Sequence, residues 1–250
     1  MAASAALYFF VAAAAAGALS IVRPIRRLGI RSRKAGWLVL LAGAAGAQYV
    51  LGRPALATYV TTPETKLDEF APIYQFSEIQ SIPVRAPAGR VYESLFAVTA
   101  AEVPLYRELA WIRRGGASGP ESVLNPSDDV PLVDVATRTS FLQLAAVPGR
   151  ELVLGAVVMA PPGVRLAAAP TPAAFQALRQ PGFAKAVMGF VIEAQDSGWC
   201  RLRSEIRVHA TDPASRDTFS TYWKVITPGS QLMHLMWLRA IKVRAEATRR

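Results

Sequence analysis

The 250-residue chain has a single cysteine, Cys200, and only two histidines, His209 and His234. One thiol excludes an internal disulfide and any zinc site built on several thiolates. The histidines lie far apart in the sequence, with no cluster of Cys, Asp or Glu beside either, so no metal or other cofactor is expected. Charged residues are scarce at 18%, against 52% hydrophobic and a mean hydropathy of +0.25. That balance excludes a disordered or collagen-like chain and indicates membrane segments. Neither phosphate-cradling motif, G-x-G-x-x-G or G-x-x-x-x-G-K-[ST], occurs. Ser118, in Gly116-Ala117-Ser118-Gly119, lacks the G-x-S-x-G spacing of a nucleophile elbow. Residues 1–52 hold six of the 28 basic residues and none of the 18 acidic ones, leaving 22 against 18 in the remainder. The net charge of +10 is thus concentrated near the N-terminus, and with no RNA- or DNA-binding signature a nucleic-acid partner is not expected.

Residues 2–22 form an uncharged run long enough to cross a hydrocarbon core of about 30 Å as a helix. Ten of them are alanine, so Leu7, Phe9, Phe10, Val11, Leu19, Ile21 and Val22 supply the drive for insertion. Together these contribute about −2 to −4 kcal/mol. A second uncharged run, 35–52, is weaker, with four glycines and Gln48. Its Ala42, Gly43, Gly46 and Ala47 have the small-residue spacing that lets helices pack closely. Between the runs, the segment 23–34 carries Arg23, Arg26, Arg27, Arg31, Arg33 and Lys34. A short loop this basic is retained in the cytoplasm, which makes 1–52 a two-helix membrane hairpin with residues 73–250 on the extracytoplasmic side. The competing reading is a signal peptide over 31–57, which exports the same domain.

Residues 53–72 are rich in Pro and Thr and read as a juxtamembrane linker. Period-two alternation predicts a strand over 74–84, with Tyr74, Phe76, Glu78, Gln80 and Ile82 on one face. Helical stripes follow over 88–99 and 102–112, then a Gly/Pro/Ser-rich loop over 113–131. Strands are predicted over 133–146, 151–160, 184–195 and 199–210, with a short helix near 173–180. The runs 151–160 and 184–195 are apolar on both faces. The run 199–210 puts Cys200, Leu202, Ser204, Ile206 and Val208 on a packed face and Arg201, Arg203, Glu205, Arg207 and His209 on a solvated one. Asp212 as N-cap and Pro213 at the first helical position start a C-terminal helix. Pro228-Gly229 is expected to kink or split that helix, with Ser230 able to re-cap it.

Strand, two short helices, several antiparallel strands and a long last helix define an α+β domain. This order, with the stretches SIPVRAPAGRVYESL (81–95), FLQLAAVPGRELVLGAVV (141–158), RVHATDPASRDTFSTYWKVITPGSQL (207–232) and WLRAIKVRAEA (237–247), resembles the SRPBCC, or START-like helix-grip, superfamily. The resemblance implies a curved antiparallel sheet gripping the last helix, with a ligand cavity between them. Phe141, Leu154, Met188, Phe190, Phe219, Trp223, Ile226 and Met233 are the expected apolar lining, and Arg138 the expected polar contact. The partners so implied are a hydrophobic or lipid-like small molecule and the membrane. No catalytic residue stands out. The alternatives are a polyketide cyclase or aromatase acting through Arg138 or Glu205, and a structural membrane protein whose cavity is filled by its own side chains. His209 and His234 read as a solvated-face residue and a core-edge residue.

Overall fold

The computed structural model describes residues 2–164, 171–195 and 198–247. They form two compact units, one of residues 2–55 with Ser220–Pro228, the other of the remaining described residues.

In the first unit, α1 (Ala2–Val22) and α2 (Arg33–Gly52) run antiparallel, joined by a single 3-10 turn at Arg26–Leu28. Both are long and apolar enough to cross a membrane. Their axes approach so closely that a Cβ on Gly43 would lie 2.5 Å from the Ala14 amide nitrogen, and one on Gly17 would lie 2.3 Å from that of Leu40. Backbone contact of this kind excludes any larger side chain. Tyr8, Phe9, Leu38 and Leu41 point outward. Hydrogen bonds join the segment Ser220–Pro228 to this unit. The Lys224 ammonium donates to the carbonyls of Leu51 and Arg53 (3.0 and 2.9 Å), and the Tyr8 hydroxyl donates to that of Val225 (2.8 Å).

The second unit is α+β. Strands β3 (Phe76–Val84), β4 (Leu142–Val147), β5 (Glu151–Met159), β6 (Ala184–Ala194) and β7 (Cys200–Ala210) form one sheet in the order β3-β7-β6-β5-β4. Every neighbouring pair is antiparallel. Bulges between Gln143 and Ala145 and between Val157 and Met159 bend its far edge. On one face lie α4 (Ala88–Ala97), α5 (Tyr106–Arg113), α6 (Leu132–Thr139) and the C-terminal part of α8 (Pro213–Glu246). Leu152, Leu154, Met188, Phe190, Leu202 and Trp237 are the centre of that core.

The alternation over 133–146 misleads at its start, because residues 132–139 are helix α6. Leu132, Val133, Val135 and Ala136 give one buried helical face. The Thr137 and Thr139 hydroxyls donate to the Val133 and Val135 carbonyls four residues back (3.0 and 2.6 Å), which accommodates β-branched residues in a helix.

The linker reading of 53–72 is also corrected in part. This segment contains β1 (Thr58–Tyr59), paired with β2 (Ile73–Tyr74), and a short helix α3 (Lys66–Phe70) started by a Thr65/Asp68 capping box. Leu67 and Ala71 pack with Phe175 of α7 (Pro172–Ala177) against Leu144, Val153 and Val187 on the reverse face of the sheet. That second layer explains why the two central strands are apolar on both faces, and it covers the face of β7 expected to be solvated.

The last helix starts at Asp212, whose carboxylate accepts from the Ser215 amide (3.1 Å), as its sequence predicts. It does not split at Pro228. In the turn ahead of the proline, hydroxyls take up two carbonyls: Thr227 donates to Trp223 (2.5 Å) and Tyr8 to Val225. Ser230 is interior to the helix and turns its hydroxyl toward β3 instead of capping.

Candidate functional site

Antiparallel register sets the site. Glu78 stands opposite Ile206, and Gln80 opposite Ser204, so these residues share the face of the sheet that α8 covers. Ser204 also faces Phe190 across the β6–β7 pair. On α8, Ser230, His234 and Trp237 recur at four- and three-residue spacing, which places them on one helix face. His234 Nδ1 lies 2.5 Å from Glu78 Oε1, and Ser230 Oγ donates to the same oxygen at 3.1 Å. The Trp237 ring meets Phe190 edge-on, centroids 5.2 Å apart.

Among the described residues, three polar atoms of this cluster are buried without a hydrogen-bond partner: Glu78 Oε2, Ser204 Oγ and Trp237 Nε1. An unsatisfied buried polar atom costs about 1–3 kcal/mol. Three on one interior surface are a large destabilisation unless something polar meets them. Their chemistry is complementary to a small polar group: a carboxylate oxygen accepts, an indole N–H donates, and a hydroxyl does either. Around them the wall is apolar and adaptable, with Met188, Met233 and Met236 in the same core. Glu78 fixes the Nδ1 edge of the imidazole, leaving Nε2 on the opposite ring edge. Among the described residues, no group of three or more His, Cys, Asp and Glu could hold a metal.

Of the expected lining residues, Leu154, Met188, Phe190 and Met233 belong to this core, and Phe141 packs against it. Trp237 is buried in the same core. Phe219 is buried against Phe76 at 5.1 Å. Trp223 and Ile226, expected on the sheet, are half-buried and fall in the segment that belongs to the first unit. Arg138 is exposed on α6, not at the start of a strand, and pairs with Glu121 of the loop.

Glu205 lies on the reverse face. There Arg207 bridges Asp68 (2.7 Å) and Glu205 (2.6 Å), with Arg203 on the second Glu205 oxygen (2.9 Å). The Tyr74 ring covers the Arg207 guanidinium at 4.8 Å. Side-chain exposures of 8% for Arg207, 9% for Asp68 and 2% for Glu205 make this a buried network that ties α3 to the sheet. His209 is half-buried near Gln75; burial, then Lys185 and Arg179, lower its pKa. Cys200 is buried, as its strand position predicts, with its thiol pushed up by burial and 3.2 Å from the Ala86 carbonyl.

Sequence reasoning missed the Glu78–His234 pair. The one available signal was a carboxylate, Glu78, between Phe76 and Ile82 in an otherwise mostly apolar stripe. Pairing it with a histidine more than 150 residues away requires the strand order.

The chain matches no family model and no curated protein sequence. Among solved structures, it is similar to a hypothetical protein from Helicobacter pylori, with 10% identity and a TM-score of 0.37 over 77% of this chain and 100% of the other. It is also similar to the di-domain ARO/CYC protein BexL from the BE-7585A biosynthetic pathway, with 12% identity and a TM-score of 0.24 over 86% of this chain and 58% of the other.

Proposed function

We propose that the protein is a membrane-tethered binding module of the helix-grip type. Its second unit holds a hydrophobic or lipid-like small molecule between the sheet and α8, with the molecule's polar end at Glu78, Ser204 and Trp237. The observation that carries this reading is the set of three unpartnered polar atoms facing one apolar interior. A hydroxyl on an otherwise apolar ligand satisfies them, donating to Glu78 Oε2 and accepting from Ser204 and Trp237, and the methionines supply room by changing rotamer. The test is solvent extraction of the purified full-length protein, followed by mass spectrometry of what it releases. A single class of amphipathic molecule, released by the parent and depleted in Ser204→Ala and Trp237→Phe, supports the reading. Equal, non-selective carry-over of bulk lipid by all three proteins refutes it.

A second reading, an enzyme of the cyclase or aromatase type acting at the same place, is favoured by the Glu78–His234 contact. A carboxylate-oriented imidazole is a general-base arrangement. It differs from the first reading in requiring turnover, so any molecule extracted would be chemically changed on incubation with the parent but not with His234→Gln.

A further inference from the structure

The basic connection between α1 and α2 folds into a definite shape. Pro24 cannot continue α1, and the single turn at Arg26–Leu28 is closed by Gly29 at φ +77°, in the left-handed region. The result is an open hollow of about 810 Å³ lined by Arg23, Arg26, Arg27 and Arg31, all four exposed. Its remaining wall is apolar and includes Leu19 and Val22 of the last turn of α1, both widely exposed. No acidic residue occurs in residues 1–52. None of the four guanidinium groups makes a side-chain hydrogen bond or an ion pair among the described residues. Four exposed guanidiniums around one hollow concentrate positive potential there, which suits an anion.

We propose that this concavity is a binding site for an acidic phospholipid, its phosphodiester held by the arginines and its acyl chain laid along Leu19 and Val22. The inference rests on the reading that α1 and α2 cross the bilayer, which sets their connection at headgroup level. Guanidinium forks bind phosphate oxygens two at a time, and basic pockets beside transmembrane helices suit anionic headgroups. The apolar wall selects a lipid over a soluble phosphate, which has nothing to place there.

The experiment uses the full chain in discs of phosphatidylcholine doped with phosphatidylglycerol, with bound lipid counted by native mass spectrometry. Phosphatidylglycerol should be retained over phosphatidylcholine, and the double variant Arg26→Gln/Arg27→Gln should weaken that preference about tenfold. The charge-matched variant Arg33→Gln/Lys34→Gln, outside the concavity, should leave it unchanged. Equal loss in both variants would show that net charge alone attracts the lipid and would overturn the site. Displacement of the lipid by glycerophosphate or inorganic phosphate would overturn the lipid assignment. Carbonate extraction separates the two levels: release of the chain from membranes refutes the membrane reading, whereas retention without phosphatidylglycerol preference refutes this site alone.

Discussion

A buried hydroxyl with nothing to bond is a residue-scale observation with an unusual consequence. Ser204→Ala removes a group that makes no hydrogen bond, so it should not destabilise the second unit and should raise its stability by about 1 kcal/mol. The same substitution should weaken ligand binding about fivefold to tenfold, the worth of one hydrogen bond. Denaturant midpoints and binding isotherms on the same preparations check both; loss of stability without loss of affinity would make Ser204 an ordinary core residue. Asp68 behaves in the opposite way. Burial alone would raise its carboxyl, but hydrogen bonds from Glu64, Thr65 and Arg207 outweigh burial and hold it at about 2, against an ordinary 3.8. The folded state therefore prefers the carboxylate, and this stabilisation is complete above pH 3.8 and lost as pH falls through about 2. Asp68→Asn should cost about 3 kcal/mol at neutral pH, by leaving Arg207 with one buried carboxylate where it had two. It should also flatten the stability profile between those two pH values. Lys185 is a third case. Burial, with help from Arg179, lowers its ammonium to about 8, although it donates to the Phe175 and Gln176 carbonyls. Between pH 8 and 10.5 the unfolded chain binds the extra proton, so stability should rise with pH across that window, and Lys185→Met should abolish the rise.

At the scale of elements, periodicity decided what was legible. The strands at 76–84 and 200–210 follow from alternation, those at 151–159 and 184–194 from short apolar runs, and the start of the last helix from Asp212-Pro213. Helix α6 was not legible, because Val133, Val135 and Thr137 alternate as well as any strand while Leu132 and Ala136 supply the competing helical stripe. The second layer was hidden for a different reason. A five-residue helix such as α3 is too short to show a period, and its partners Glu151 and Arg207 lie far along the chain. The pairing of Glu78 with His234 was illegible for that same reason of distance. Aromatic packing on α8 is likewise redistributed: Trp237, 2% exposed and edge-on to Phe190, takes the central place expected for Trp223. Trp237→Ala should therefore cost about 3–5 kcal/mol in the second unit. Trp223→Ala should cost that unit clearly less, as read by denaturant midpoints of the sheet's far-ultraviolet signal. Equal costs would return Trp223 to the core between sheet and helix.

For the whole molecule, we propose that the six cations in residues 23–34 hold their connection in the cytoplasm. A reporter active only after export, fused behind residue 250, should be active, and one active only in the cytoplasm should be silent; the reverse pattern would place the second unit inside the cell. The proposed membrane attachment and the proposed site between sheet and helix together suit a protein that handles apolar molecules where they are concentrated. The most direct measurement is a fluorescence titration of the full-length protein in discs with the fatty-acid probe cis-parinaric acid, excited through tryptophan. Trp237 lies in the interior at issue, so a bound probe accepts its energy. The expected result is saturable transfer at micromolar probe, weakened about fivefold to tenfold in Ser204→Ala while the protein stays folded. A linear, non-saturating signal equal to that of empty discs, and identical in parent and variant, would contradict a binding site between the sheet and α8.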